Sequence, residues 1–231
     1  MRSATRVVSF APSSNTPGKK DATGAFLPEQ LQFSALMRQL GATTQEFSFN
    51  NLKPNPARIQ EVSAGLKSAG GYDLVAFFCH GWLDGIQAGF RRSSVSTFAE
   101  MMSASATGPM TVVLYCCSTG ADEKKRSLTA AGTGDNSFAD RLRDELCKRG
   151  QTQARVVAHS TAAHTTRNPN VLFFEGMGSP IGGMGGIAPV VPGRPLWKPW
   201  CASLKNSDLR FRYPLMEVAE IHAELANDNN V

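Results

Sequence analysis

The chain has 231 residues, a net charge of +5 from 24 Lys+Arg against 19 Asp+Glu, and 42% hydrophobic and 19% charged residues. At roughly 150 residues per domain this is one large domain or two small ones, and the ordinary globular usage excludes wholesale disorder and a collagen-like chain. No stretch reaches the roughly eighteen apolar residues a membrane span needs, and the run Val7 to Ala11 is too short for a signal-peptide core, so the reading is a cytoplasmic protein without a membrane partner.

In chain order, Val7 to Ala11 is a β-branched apolar run that predicts a buried strand, followed by a Ser/Pro/Gly/Lys loop from Pro12 to Gly24. Leu31, Phe33, Leu36, Met37 and Leu40 recur at helical spacing, which predicts a helix from Pro28 to Leu40 with Gly41 as its stop. Thr44 to Asn50 alternates as a strand does, and Pro56 to Ala69 is a second helix ending at Gly70-Gly71. Leu74 to Cys79 and Met110 to Cys116 are apolar on both faces, as central parallel strands must be when helices cover both sides. Between them lie a polar Gly-rich stretch (Trp82 to Ser94) and a helix over Val95 to Ser103. A polar loop, Ser118 to Gly134, leads to an amphipathic helix from Asn136 to Lys148, with Asp135 or Asn136 as its N-cap. Arg155 to His159 is a further short strand. Gly176 to Pro199 holds seven glycines and five prolines and predicts a long surface loop. A last helix is expected at Leu215 to Leu225, before a frayed tail from Asn227 to Val231.

Strand and helix alternate about five times, the pattern of a parallel, doubly wound α/β sheet. Ligands of such sheets sit outside the carboxyl ends of the strands. His80 and Gly81 follow one apolar run, and Cys117, Ser118, Thr119 and Gly120 follow the next. If the two strands are neighbours, His80 and Cys117 leave the same edge of the sheet. A thiol beside an imidazole is a nucleophile for carbonyl carbon, and Gly81 lets a backbone N–H approach an oxyanion closely.

The five cysteines (Cys79, Cys116, Cys117, Cys147 and Cys201) are odd in number, which argues against a disulfide framework. Cys116 continues its strand and Cys117 begins the turn, so Cys117 is the reactive candidate and the other four read as inert thiols. Three rival readings are weaker. A metal site built from Cys79, His80, Cys116, Cys117, His159 and His164 has no C-x-x-C pair, and adjacent strand residues point to opposite faces. The glycines at Gly182-Gly183 and Gly185-Gly186 follow no strand and open no helix, so they fail as a phosphate loop. The basic clusters Lys19-Lys20, Arg91-Arg92 and Lys124-Lys125-Arg126 form no stripe and do not interleave with aromatics, which argues against a nucleic-acid partner.

Leu74-Val75-Ala76-Phe77-Phe78-Cys79-His80-Gly81 and Val112-Val113-Leu114-Tyr115-Cys116-Cys117-Ser118-Thr119-Gly120 together resemble the caspase-like cysteine peptidases. That group includes caspases, metacaspases and the bacterial CHAT peptidases. The second block is most similar to the CHAT form, in which the nucleophile is followed by one residue, Thr and Gly. Caspases carry Gln-Ala before the nucleophile, where this chain has Tyr115-Cys116, so the glutamine they use for acidic residues is missing.

The resemblance implies a three-layer α/β/α caspase-like fold with a mostly parallel, doubly wound sheet. It covers the order of elements from Val7 to about His159 and is weak after Asn170, and the chain reads as a single peptidase domain over residues 1–231 with an extra Gly/Pro-rich loop at about 176–199. It also implies a cysteine endopeptidase acting on a protein or peptide substrate without metal or cofactor. Cys117 would be the nucleophile and His80 its acid–base partner, and the Gly81 and Cys117 amides would form the oxyanion site. Lys20 (with Lys19), Asp84 and Asp135 are candidates for substrate selectivity, and the loop 118–134 is a candidate self-processing site. A non-catalytic caspase-like interaction module is the alternative, since function lives in the site and not the fold. The sequence sets no oligomeric state.

Overall fold

The computed structural model describes residues 5–13, 23–122, 134–160, 171–177 and 181–183. In chain order the elements are β1 (Arg6–Pro12), α1 (Phe26–Gln39), β2 (Thr43–Phe49), α2 (Asn55–Ser68) and β3 (Tyr72–Phe78). A hairpin of β4 (Gly81–Trp82) and β5 (Gly85–Ile86) follows, then α3 (Val95–Ser103), β6 (Ala106–Tyr115), α4 (Phe138–Lys148), β7 (Arg155–His159), β8 (Val171–Glu175) and β9 (Ile181–Gly183). The large sheet has seven strands in the order β2-β1-β3-β6-β7-β8-β9. β2, β1, β3, β6 and β7 are parallel, and β8 and β9 are added antiparallel.

The doubly apolar runs build the centre of this sheet. In β3 and β6, Val75, Phe77, Val112 and Leu114 enter one core, together with Val62 and Leu66 of α2, Phe98 and Met102 of α3, and Phe138, Leu142 and Leu146 of α4. Ala76, Phe78, Val113 and Tyr115 enter a second core on the opposite face, with Phe26 and Phe33 of α1. Helices therefore cover both faces, as continuous apolar strands require. Each fully buried Phe, Leu or Val contributes about 1.5–3 kcal/mol relative to exposure. A polar seam joins α1 to β1 and β2: the Gln30 side-chain amide donates to Ser9 Oγ at 3.2 Å and to the Phe47 carbonyl at 3.0 Å.

The described structure departs from the sequence reading at three places. The repeat is not parallel to its end, because β8 and β9 run antiparallel. Part of the expected loop 176–199 is strand β9; its two glycines carry little strand propensity, and the free edge of β8 supplies the pairing. The N-cap of α4 is Ser137, whose hydroxyl accepts from the Asp140 amide at 3.1 Å. Asn136 has φ 58, the left-handed region, whereas an N-cap residue is extended. The expected helix at 215–225 and the tail lie outside the described residues. Among the described residues no helix is long and apolar enough to cross a membrane.

Candidate active site

The site follows from two adjacent strands and the two-residue period of their side chains. β3 and β6 pair in parallel, with Phe77 opposite Leu114 and Phe78 opposite Tyr115. One step further, Cys79 and Cys116 meet with their sulfurs 3.6 Å apart, both fully buried in the core that α2, α3 and α4 cover. His80 and Cys117 follow this contact, one on each strand's continuation, beyond the paired register that ends at Phe78 and Tyr115. Because side chains alternate, this pair faces the α1 side of the sheet, where Cys117 packs against the second core. Neighbouring strands are about 4.8 Å apart, so the two side chains leave adjacent backbones.

Gly81 confirms the closeness of the two strand ends. A Cβ there would lie 2.5 Å from the Cys117 carbonyl oxygen and 2.7 Å from Cys116 Cβ, so only glycine fits. The Gln87 amide donates to the His80 carbonyl at 2.8 Å, which makes Gly81 and Ile86 a non-hydrogen-bonded pair of the β4–β5 hairpin. The Gly81 N–H accordingly points away from β5. The Gln87 side-chain oxygen accepts from the His80 amide at 3.3 Å and ties the hairpin to the end of β3 a second time.

The imidazole is held from the α1 side. Its Nε2 lies 3.1 Å from the Thr23 hydroxyl, in the 3-10 turn that leads into α1. The Phe26 ring meets it edge-on, with centroids 5.0 Å apart and planes at 87°. The Trp82 indole, half exposed, lies 6.4 Å away on the hairpin. The aromatic wall and the Thr23 contact both constrain the ring's orientation.

Cys117 begins a tight turn. Ser118 has φ 57, a left-handed conformation that costs a non-glycine residue about 1 kcal/mol or more. Four bonds hold the turn: the Thr119 hydroxyl donates to the Cys116 carbonyl at 3.0 Å, the Ala121 amide to the Ser118 carbonyl at 3.2 Å, the Ala139 amide of α4 to the Thr119 carbonyl at 3.0 Å, and the Gly120 amide to the His159 carbonyl at 2.9 Å. The last bond anchors the turn to the end of β7. Cys117 is partly exposed, unlike Cys79 and Cys116. Burial, then the hydrogen bond with Cys79, pushes the Cys116 thiol well above its ordinary range. Burial, then the nearby Glu29 and Cys117, does the same to the Tyr115 phenol, which stays neutral beneath Cys117. The His159 ring packs edge-on against Tyr115 with centroids 5.1 Å apart.

Of the sequence-derived site residues, Gly81 lies against the Cys117 carbonyl oxygen, and His80 precedes Gly81 with its ring toward Thr23 and Phe26. Asp84 is on the β4–β5 turn, its carboxylate 3.1 Å from Arg91 Nη1. Asp135 is exposed in the turn before α4. Lys20, and residues 123–133 of the candidate processing loop, lie outside the described residues. The residues of the metal reading divide between faces, with Cys79 and Cys116 on one and Cys117 on the other; among the described residues no group of three or more His, Cys, Asp or Glu could hold a metal. Sequence reasoning missed Thr23, Phe26 and Gln87. Thr23 follows a polar loop with no periodicity, and only the fold brings it to His80. Comparison of the chain with protein-family models and with curated proteins finds no match.

Proposed function

We propose that the chain is a caspase-like cysteine endopeptidase in which His80 and Cys117 are the catalytic dyad. One observation supports the reading: β3 and β6 are paired neighbours whose ends meet at the Cys79–Cys116 contact of 3.6 Å, and His80 and Cys117 are the residues that follow these two cysteines. A base beside a partly exposed thiol at the carboxyl ends of two central strands is the arrangement nucleophilic catalysis needs.

The chemistry runs in two halves. The Cys117 thiolate attacks the peptide carbonyl carbon, and the oxyanion that forms is stabilised by backbone N–H groups, with the Gly81 amide the best directed. Collapse breaks the C–N bond; the departing amine takes its proton from the His80 imidazolium, leaving a thioester on Cys117. Water then attacks the thioester while His80 accepts its proton, and the free carboxylate product leaves a thiol behind. Thr23 engages Nε2, so Nδ1 is the nitrogen that exchanges protons at the site. No step calls for a metal or cofactor. Cleavage of the chain's own loop 118–134 would use the same steps.

A broad fluorogenic peptide panel, read with wild type, Cys117→Ala and His80→Ala, tests the reading. Hydrolysis by wild type and loss in both variants is expected. No cleavage of any peptide, together with no preferential alkylation of Cys117, would overturn it. Intact mass separates out the processing step: a wild type shorter than Cys117→Ala supports self-cleavage, and identical masses end that idea.

A further inference from the structure

The hairpin that follows His80 carries an exposed aromatic ring that the chemistry above does not use. Trp82 is 51% exposed and is the only aromatic among the large exposed apolar side chains of the described residues. It directly follows Gly81 on β4, and Gly85 stands opposite it on β5. A Cβ on Gly85 would collide with the Phe90 carbonyl oxygen, so no side chain can stand across the hairpin from the indole. The backbone beneath is braced: the Gln87 amide donates to the His80 carbonyl at 2.8 Å, the Ile86 amide to the Phe90 carbonyl at 2.9 Å and the Arg92 amide to the Asp84 carbonyl at 2.8 Å. The charges of Asp84 and Arg91 at the hairpin end pair with each other at 3.1 Å. What the hairpin offers to the site is therefore an uncovered apolar ring on a fixed backbone.

The place of this ring beside the imidazole selects the part of a substrate it meets. The centroids of Trp82 and His80 lie 6.4 Å apart with planes at 32°, whereas Phe26, the other ring against the imidazole, is fully buried and cannot receive a ligand. His80 gives its proton to the departing amine, so that nitrogen comes within about 2.6–3.2 Å of the imidazole. The side chain of the residue that carries the amine begins two bonds further on, each about 1.5 Å long, and Trp82 is the exposed apolar surface at that distance among the described residues. We propose that Trp82 determines specificity on the leaving side of the peptide: its indole receives the side chain of the first residue after the scissile bond and selects a large apolar or aromatic one. This inference rests on the endopeptidase reading. Run in reverse, the same contact recruits an amine to the acyl-enzyme. The amine nitrogen attacks the thioester carbon, the C–N bond forms as the C–S bond breaks, His80 takes the amine proton and Cys117 leaves as its thiolate.

Internally quenched peptides that carry Phe, Leu, Gly or Arg at the first position after the scissile bond, and are otherwise identical, read the selectivity. Wild type should cleave the Phe peptide about tenfold or more better than the Gly peptide in kcat/KM, as expected for an aromatic contact added to apolar burial. The Phe-over-Gly ratio should fall toward one in Trp82→Ala and stay high in Trp82→Phe. Trp82→Glu supplies a change that misfolding cannot imitate, because its preference should turn from Phe to Arg. When phenylalaninamide and glycinamide compete for the acyl-enzyme, wild type should form mostly the phenylalaninamide product and Trp82→Ala should lose that bias; a merely structural role lowers both products together. Cleavage with a flat profile at this position, or a Phe preference unmoved in Trp82→Ala and Trp82→Glu, overturns the assignment and leaves the peptidase standing. An Arg preference in wild type overturns the apolar class. If wild type cleaves none of the set, calorimetry on Cys117→Ala separates the two readings. Tighter binding of the Phe peptide than of the Gly peptide, abolished by adding Trp82→Ala, keeps the contact and removes the peptidase; equal binding overturns the contact as well.

Discussion

Cys116 and Cys117 are neighbours in the chain but sit on opposite faces of the sheet, and the contrast shows how one strand can build a core and end in a partly exposed thiol. On one face Cys79 and Cys116 touch in a dry environment, and burial keeps the Cys116 thiol neutral. On the other, His80 and Cys117 follow the ends of the same two strands, at a rim where Cys117 is partly exposed and Thr23 engages the imidazole. The same residue type thus has two fates, decided by the two-residue period of the strand and by the turn at Ser118 that ends it.

The sharpest way to break that comparison is to exchange the two thiols' fates. Cys117→Ala should abolish peptide hydrolysis, by about a thousandfold or more, with an unchanged melting temperature. Cys116→Ala should keep activity within a few-fold and cost about 1–2 kcal/mol of stability, because it removes packing from the core. Urea denaturation beside a peptide assay reads both. The reverse pattern would place the chemistry on the wrong face.

Next in size is the contact that holds the two strand ends together. Gly81→Ala drives a methyl group to within 2.5 Å of the Cys117 carbonyl oxygen. It should cost about 1–3 kcal/mol in stability and lower kcat more than it raises KM, since both dyad backbones must shift. Unaltered stability and activity would mean that the strand ends are not in contact.

A smaller effect is expected at the imidazole. Thr23→Val keeps the shape of the side chain but removes the hydroxyl 3.1 Å from Nε2. It should reduce kcat/KM about tenfold, the cost of a freed ring, with little change in melting. An equal loss in both would make Thr23 a stability residue only.

How much of this was legible from the sequence differs between the two halves of the contrast. The apolar runs at 74–79 and 110–116 identify the central strands, and the end of the second run separates Cys116, which continues the strand, from Cys117, which begins the turn. What surrounds the dyad was not legible, because Thr23, Phe26 and Gln87 reach His80 through tertiary packing and carry no local pattern. The antiparallel strands were missed for a related reason: Val171–Glu175 is apolar but short, and Ile181–Gly183 is mostly glycine, so the sheet edge and not propensity makes them strands. The cap of α4 was off by a residue or two because a left-handed Asn136 moves the helix start to Phe138.

The smallest effect lies away from both faces. Hydrogen bonds from Lys148 and Arg149 hold the Glu145 carboxyl at about 2. Its folded value is below the unfolded one, so its stabilisation is complete above about pH 4.5 and fades as pH falls toward 2. These are surface pairs, so Glu145→Gln should cost only about 0.5 kcal/mol at neutral pH, with the difference from wild type vanishing in acid. Thermal melts at several pH values check this, and dyad activity should not change.

Competitive alkylation of the native protein with iodoacetamide, mapped by peptide mass spectrometry from about pH 5 to 9, tests the central claim most directly. Burial raises the thiol of Cys147, the other partly exposed cysteine among the described residues, which makes it the internal reference. At about pH 6 Cys117 should be modified about tenfold or more faster than Cys147 in wild type, and that advantage should disappear in His80→Ala, because the imidazole stabilises the thiolate. Cys117 labelling no faster than Cys147, or equally fast with and without His80, would contradict the pairing of His80 and Cys117 as a catalytic dyad.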